Sequence, residues 1–226
     1  MSQIAANMKR VLADIPCGVE LVVVAKDRQP AKVLEAVNAG ARIIGENYVQ
    51  EAEKARHDIG CRVQWHFIGH LQRNKIKKAV ALFDMIQTVD SLGTAREIDL
   101  RCAQTGKILP ALIEVNSGRE PQKSGLFPDM VETALVDISA LHNIRIVGLM
   151  TMGPAQDDPA GLRPYFKATR ELFESLGRSR FPNVEMKYLS MGMSDSYKLA
   201  IAEGANMVRL GRAIFGERAL TAVSRQ

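Results

Sequence analysis

The chain has 226 residues, which is enough for one α/β domain with a substantial buried core. Hydrophobic residues make up 46% and charged residues 24%, a balance that excludes an intrinsically disordered chain. The aromatic content of 5% and a net charge of +5 without a basic block argue against a nucleic-acid-binding protein, whereas the positive bias favours a phosphorylated, anionic ligand.

The cysteines and the hydropathy pattern bear on location. Cys17, Cys61 and Cys102 are odd in number, and no pair has metal-ligand spacing, so we expect buried thiols in a reducing compartment. The start of the chain lacks a signal-peptide pattern, and no window approaches the ~20 uninterrupted apolar residues of a membrane span. These features predict a cytoplasmic protein that contacts neither membrane nor nucleic acid.

Apolar runs alternate with helical patterns along the chain. Residues 2–14 place Ile4, Met8 and Val11 at helical spacing, which predicts an opening amphipathic helix. The apolar runs typical of strands cover 21–25, 41–45, 63–68, 83–89, 108–115, 144–152, 184–191 and 205–210. The patterns typical of helices cover 30–40, 48–58, 71–80, 91–105, 128–141, 160–177 and 194–203.

Eight such units predict a parallel sheet with both faces buried, because its strands are continuous apolar runs rather than alternations. Eight units can close into a (β/α)8 TIM barrel, here with an extra N-terminal helix. An open doubly wound sheet is the alternative, but no G-x-G-x-x-G motif follows the first strand. No linker or composition change divides the chain, so we expect a single domain over 1–226.

Lys26 is the most informative residue at a strand exit, where the active face of a parallel barrel lies. It ends an apolar run, and desolvation there disfavours the ammonium and favours a neutral amine that can attack an aldehyde. From spacing alone, a lysine that simply leaves the strand end for solvent is the favoured interpretation. Glu46, at the exit of the second run, could orient the amine or be a structural carboxylate.

The last two strand exits are candidates for phosphate binding. Gly192 and Gly211 follow the seventh and eighth runs, where small residues let backbone N–H groups approach an anion. They could equally only shape turns. Arg209 lies within a strand, where a charge requires a partner or a ligand, and a structural salt bridge is the alternative. His66 and His70 lie across a strand–loop junction, which is poor metal geometry, so no metal site is expected.

Six segments together resemble the YggS/PROSC family of pyridoxal phosphate (PLP) homeostasis proteins, whose fold is similar to the barrel domain of alanine racemase. The segments are 21–26 (LVVVAK), 45–51 (GENYVQE), 66–75 (HFIGHLQRNK), 148–152 (GLMTM), 189–195 (LSMGMSD) and 208–216 (VRLGRAIFG). The resemblance spans nearly the whole chain, and the combination of motifs is more specific than any one of them.

The resemblance implies a role for each matching residue. Lys26 would form the internal aldimine with PLP, and Arg209 would meet the pyridine nitrogen. Asn47 would lie near the ring, and Met150 would line the pocket. The phosphate would be surrounded by Ser190, Met191, Gly192, Gly211 and Arg212.

Two departures from the family pattern concern the same site. Arg212 stands where the family often has Ser or Thr, so a hydroxyl contact to phosphate is lost while the backbone N–H remains. Asp27 follows the reactive lysine where the family often has Thr, which puts a carboxylate beside the amine. Lys123 matches a lysine often seen in the family, and we assign it no role.

Three functions compete at this point. The first is a PLP carrier or regulator without turnover, monomeric, with PLP-dependent apo-enzymes as transient partners. The second is an amino-acid racemase, which needs a second acid–base group that alanine racemase takes from a further domain and a partner subunit. The third is a Schiff-base aldolase without cofactor. An Arg beside the pyridine nitrogen would weaken the ring as an electron sink, which favours the first function over the second.

Overall fold

The computed structural model describes residues 2–155 and 158–217. Eight parallel strands pair in sequence order and close into a barrel, since the first strand also pairs with the eighth. The strands are β1 (Glu20–Val24), β2 (Ile43–Glu46), β3 (Gln64–Phe67), β4 (Met85–Val89), β5 (Leu109–Glu114), β6 (Ile144–Met150), β7 (Val184–Ser190) and β8 (Met207–Leu210).

Helices follow the strands around the outside of the barrel, and their first residues explain where several begin. Ser2 caps the opening helix by accepting the Ala5 N–H, Pro30 occupies the first position of the second helix, and Ser91 caps the fifth. The helices are α1 (Gln3–Asp14), α2 (Pro30–Asn38), α3 (Val49–Ile59), α4 (Ile76–Leu82), α5 (Leu92–Ala103), α6 (Val131–Ile138), α7 (Arg163–Arg178), α8 (Tyr197–Ala202) and α9 (Arg212–Phe215).

The predicted barrel and its N-terminal helix are confirmed, and the doubly wound alternative is wrong. Each of the eight apolar runs coincides with one strand, although β1 begins one residue before its run and β2 ends one residue after its run. The extra helix α1 is fastened to the end of the barrel, because Nδ2 of Asn7 donates to the carbonyl of Ile214 on α9 at 2.9 Å. The single-domain prediction over 1–226 reaches beyond the described residues and stays a prediction.

The apolar core has two parts. The larger part packs the helices against the outer face of the strands. The smaller part fills the barrel interior with Val22, Ile43, Met85, Leu112, Val147, Met150 and Met207. Buried polar side chains, among them His66, Gln87 and Arg209, lie within the barrel as well.

Strand β7 departs from the expected pattern. Glu185 and Lys187 are exposed, and Glu185 pairs with Arg145 of β6 at 2.6 Å, so this strand is not buried on both faces. The expectation that all three thiols are buried is also wrong, because Cys17 and Cys61 are exposed and Cys102 alone is buried.

Several predicted boundaries differ from the structure by two or more residues. Short 3₁₀ helices at Arg73–Lys75 and Pro128–Met130 precede α4 and α6, so those α-helices begin later than predicted. The helix expected from Ser194 begins at Tyr197, and β6 ends at Met150. None of the helices in the described part of the chain is long and apolar enough to cross a membrane.

Candidate functional site

A cavity of about 530 Å³ opens at the carboxyl ends of β1, β7 and β8. Its volume lies within the range of small-molecule sites, about 300 to 1,000 Å³. Four of its side chains are cationic and two are carboxylates, so it suits an anionic ligand. It is lined by Val24, Lys26, Arg28, Met193, Ser194, Asp195, Arg209, Gly211, Arg212, Gly216 and Glu217.

Lys26 reaches this cavity because of strand alternation. Val22 faces the barrel interior, and Val24 and Lys26 follow on the same side at steps of two residues. The backbone stays ordered past the end of β1, since the Ala25 N–H donates to the carbonyl of Gly45 at 2.9 Å. Nζ of Lys26 lies 5.5 Å from the ring centroid of Tyr48.

Lys26 is half-buried rather than enclosed in the dry interior that its apolar run predicts. The reason is local, because β1 ends at Val24 and the lysine stands two residues beyond it. The side chain therefore joins the cavity from its rim. The alternative of a lysine that leaves the barrel altogether does not describe this arrangement.

Carboxyl groups lie next to the lysine on the β2 side. Asp27 has a left-handed backbone with φ of 60°, and its N–H donates to Oε2 of Glu51 at 3.0 Å. Glu46 is buried at the end of β2. Burial first, and then the neighbouring Glu51 and Asp27, raise the pKa of Glu46 to about 8. At neutral pH the Glu46 carboxyl is therefore mostly protonated.

Arg209 is the buried cation of the site, with 4% of its surface exposed. Its NH1 donates to Oγ of Ser190 at 2.7 Å, and its NH2 donates to the carbonyl of Thr151 at 2.8 Å. Burial lowers the pKa of Arg209 to about 10, and Glu114 opposes that shift, so the guanidinium remains charged at neutral pH. Among the described residues no carboxylate approaches Arg209 closely enough for a salt bridge, so the structural ion pair considered for it is not formed there.

The seventh and eighth strand exits are tightly packed at their glycines. Gly192 has φ of +92°, and a Cβ there would stand 2.6 Å from Cβ of Ala200. Its carbonyl accepts the Arg209 backbone N–H at 3.1 Å. A Cβ on Gly211 would stand 3.2 Å from the carbonyl oxygen of Val24, so this turn lies close against β1. Both glycines shape their turns, and Gly211 also lines the cavity.

Side chains of the same two loops complete the rim. Oγ of Ser194 accepts the Ala213 N–H at 3.1 Å, which ties the loop after β7 to the start of α9. The exposed Arg212 pairs with Asp195 and, at 3.3 Å, with Glu217. These ion pairs hold the guanidinium of Arg212 over the edge of the cavity.

The nine residues expected to bind a cofactor do not all line the same cavity. Lys26, Arg209, Gly211 and Arg212 line the cavity. Asn47 lines a second, smaller cavity of about 180 Å³ on the β2–β6 side of the mouth. The remaining four, Met150, Ser190, Met191 and Gly192, are buried and line neither of these two cavities.

Seven of the eleven described residues that line the cavity are absent from the nine expected to bind a cofactor, among them Arg28, Ser194 and Asp195. Ser194 and Asp195 lie inside the motif at 189–195, so the signal was present. Arg28 continues the two-residue alternation of Val24 and Lys26, and applying that alternation past the strand would have found it. In the ranges 2–155 and 158–217, no group of three His, Cys, Asp or Glu side chains is arranged to hold a metal ion.

Comparison with known proteins gives consistent relatives. The family model described as "Alanine racemase, N-terminal domain" matches residues 1–219. The chain is 39% identical over 202 residues to the pyridoxal phosphate homeostasis protein of Aquifex aeolicus (strain VF5), covering 88% of this chain and 87% of the relative. It is 35% identical to the protein of the same name from Vibrio cholerae serotype O1, covering 96% of this chain and 98% of the relative.

Several solved structures have the same fold as this chain. PipY of Synechococcus elongatus PCC7942, solved with PLP bound, superposes with a TM-score of 0.87 at 33% identity, covering 94% of this chain and all of PipY. Its structure without PLP gives a TM-score of 0.89 at 34% identity and the same coverage. Alanine racemase of Clostridium difficile 630 superposes with a TM-score of 0.76 at 16% identity, covering 99% of this chain and 59% of the racemase, a likeness of fold alone.

Proposed function

Because this chain belongs to the alanine racemase N-terminal domain family, among its pyridoxal phosphate homeostasis proteins, we propose that it binds PLP as a Schiff base on Lys26, in the cavity at the ends of β1, β7 and β8. Its role is that of a carrier or regulator of the cofactor rather than a catalyst. The names of the curated relatives and the PLP bound to PipY support this proposal.

The observation that carries the proposal is the meeting of an amine and a buried guanidinium in one cavity. Lys26, two residues beyond the end of β1, and Arg209, on β8, both line it, and β1 is paired with β8. PLP offers an aldehyde to an amine and a ring nitrogen to a hydrogen-bond donor. The cavity also carries an excess of positive charge, which suits the phosphate.

Each residue has a proposed task in binding. Nζ of Lys26, when unprotonated, attacks the aldehyde carbon, a C=N bond forms and one water molecule leaves. Arg209 donates to the pyridine nitrogen, and because a guanidinium keeps its proton, the nitrogen stays unprotonated. Bound PLP supplies an electron sink, and this interaction weakens it.

The phosphate is proposed to lie at the exits of β7 and β8. Gly211 and Arg212 face the cavity there, and Ser190, Met191 and Gly192 supply the backbone of the neighbouring turn. The Ser190 hydroxyl already accepts from Arg209, so its contribution to phosphate is through the loop backbone. Asn47 is proposed to lie beside the ring, and Met150 to form part of the floor.

Absorption spectroscopy tests this proposal. The purified protein reconstituted with PLP is expected to be yellow, and Lys26→Ala is expected to lose the Schiff-base band while the free-aldehyde band remains. The matched control is Lys32→Ala, which removes an exposed lysine on α2 and is expected to keep the band. A Lys26→Ala protein with an unchanged band would refute the proposal. An aldolase would instead show no visible chromophore and would be trapped by borohydride only with its substrate.

A second experiment distinguishes the carrier function from the racemase function. Holo-protein is incubated with single enantiomers of alanine and other amino acids, and the products are resolved on a chiral column. The carrier function predicts no enzyme-dependent inversion. Steady inversion that requires Lys26 would establish the racemase function instead.

We also propose that the protein delivers PLP transiently to PLP-dependent apo-enzymes and is located in the cytoplasm. We propose further that it is a monomer and forms a single domain over 1–226. Sedimentation of the full chain tests the monomer, and transfer of PLP to an apo-enzyme kept from free PLP by a scavenger tests the delivery.

A further inference from the structure

A chain of hydrogen bonds crosses the barrel interior beneath the cavity. NH1 of Arg209 donates to Oγ of Ser190 at 2.7 Å, and Oγ of Ser190 donates to Oε1 of Gln87 at 2.7 Å. Nε2 of Gln87 then lies 2.9 Å from Nδ1 of His66. All four side chains are buried, so these bonds are made in a medium where polar groups without partners are costly.

The direction of donation is the same at every step. Gln87 presents its amide nitrogen to Nδ1 of His66 and also to Sδ of Met207 at 3.2 Å, and both atoms are acceptors. Burial lowers the pKa of His66 to about 3, so the imidazole is neutral and Nδ1 can accept. Arg209 is therefore the first donor of the chain. Because the Ser190 hydroxyl donates to Gln87, its oxygen is left to accept from Arg209.

The chain fixes Arg209 without neutralising its charge. Ser190, Gln87 and His66 carry no charge, and the carboxyl group that acts on Arg209, Glu114, has a pKa raised to about 7 by burial and by Asp90. The bonds to Ser190 and Thr151 engage two of the five N–H groups of the guanidinium. Among the described residues the other three N–H groups have no hydrogen-bond partner, and Arg209 lines the cavity.

We propose that Gln87 and Ser190 are positioning residues, which hold the Arg209 guanidinium so that it recognises an acceptor nitrogen in the ring of the bound ligand. This inference rests on the proposed function, because it assigns the recognition of one end of PLP. Neither Gln87 nor His66 lines the cavity, and Gln87 acts through Ser190 and Arg209.

The test compares two ligands that differ at one ring atom. One is PLP, and the other is its 1-deaza analogue, in which CH replaces the ring nitrogen while the aldehyde and phosphate are kept. The wild-type protein is expected to bind PLP at least about tenfold more tightly, since a hydrogen bond from a charged donor is commonly worth a factor of ten or more. Both ligands are expected to react with Lys26.

Gln87→Met removes the acceptor of the Ser190 hydroxyl while nearly preserving volume. The expected result is that PLP and the deaza analogue bind with affinities within about threefold of each other, because the Ser190 hydroxyl is then free to turn and the guanidinium is fixed only at the Thr151 carbonyl. Ser190→Ala is expected to do the same and serves if Gln87→Met does not fold. The control is Thr88→Val, the next residue on β4, whose buried hydroxyl has no hydrogen-bond partner in the described part of the chain, and it is expected to keep the wild-type ratio.

The ratio of the two affinities is the decisive readout, because a general loss of packing would weaken both ligands alike. A Gln87→Met or Ser190→Ala protein with the wild-type ratio would overturn the positioning role. Equal binding of both ligands by the wild-type protein would overturn it as well, while a Lys26-dependent visible band would leave the proposed function standing. Failure of wild-type protein to bind either ligand would instead refute the proposed function.

Discussion

Lys26, just beyond the end of β1, and Arg209, on β8, line one cavity, and these two strands are paired with each other. Arg209 stands opposite Val22, and Lys26 follows Val22 by four residues on the same side of the chain. At ~3.3 Å per residue this offset is about 13 Å along the strand, and two long side chains can close much of it from opposite ends. The barrel backbone thus sets the separation between the amine and the guanidinium.

The turn after β7 is expected to tolerate no side chain at Gly192. Gly192→Ala adds a Cβ 2.6 Å from Cβ of Ala200 at a φ of +92°. We expect the free energy of unfolding to fall by about 2 to 4 kcal/mol, from left-handed strain and overpacking together. Urea denaturation measures this change.

The control for Gly192 is Gly106→Ala, which also has a positive φ of +64° but no atom within 4 Å of the added Cβ. It carries the backbone strain alone, so its cost is expected to be about 1 to 2 kcal/mol. Equal costs at the two positions would show that packing against α8 is not the constraint.

Protonation of Glu46 is expected to make stability depend on pH. The pKa of Glu46 is about 8 in the folded protein, against 4.5 for the ordinary group. Its contribution to the free energy of unfolding is therefore complete below pH 4.5 and is lost as the pH rises toward 8. His66 has the opposite effect, because its pKa of about 3 lies below the ordinary 6.5 and its contribution to the free energy of unfolding grows as the pH rises between those values. The interval from pH 6.5 to 8 therefore isolates the carboxyl groups.

Glu46→Gln keeps the shape of the side chain and removes its titration. Over pH 6.5 to 8 the variant is expected to lose less unfolding free energy than the wild type, by about 1 to 2 kcal/mol. Glu114, whose pKa is about 7, keeps a smaller slope of the same sign in both proteins. Urea denaturation at pH 6.5 and pH 8 gives the unfolding free energy of each protein. An equal loss between these two pH values in the variant and the wild type would contradict an uncharged Glu46.

Arg212 is expected to make a small, salt-sensitive contribution to ligand affinity. It is exposed and already paired with Asp195 and Glu217, and exposed charges are screened by solvent and salt. We expect Arg212→Ser to lower the affinity for PLP about two- to fivefold at low salt, and by less at high salt. Pyridoxal without the phosphate is the control ligand and should bind both proteins alike; a hundredfold loss for PLP would assign Arg212 a central role.

Most of the fold follows from local sequence patterns. Short apolar runs mark buried parallel strands, and each predicted run coincides with one strand to within two residues at either end. The pattern is weakest at β7, where Glu185 and Lys187 face solvent near the start of the strand and Glu185 pairs with Arg145. The 3₁₀ turns before α4 and α6 depend on how the loops enter the helices, which helix periodicity does not specify.

The site was only partly predictable, for a physical reason. Strand exits identify the loops at the mouth, and this located Lys26, Arg209, Gly211 and Arg212. Whether a hydroxyl at a strand end faces a ligand or the barrel axis depends on its partners across the barrel. Ser190 turns toward Gln87, which lies more than one hundred residues earlier in the chain, and no local pattern reports that contact.

Reduction with borohydride tests the central claim most directly. The full-length protein is incubated with PLP, reduced, digested and mapped by mass spectrometry. The account predicts one stoichiometric phosphopyridoxyl group, on the peptide that contains Lys26. A group found mainly on another lysine, or spread over many surface lysines with Lys26 unmodified, would contradict it.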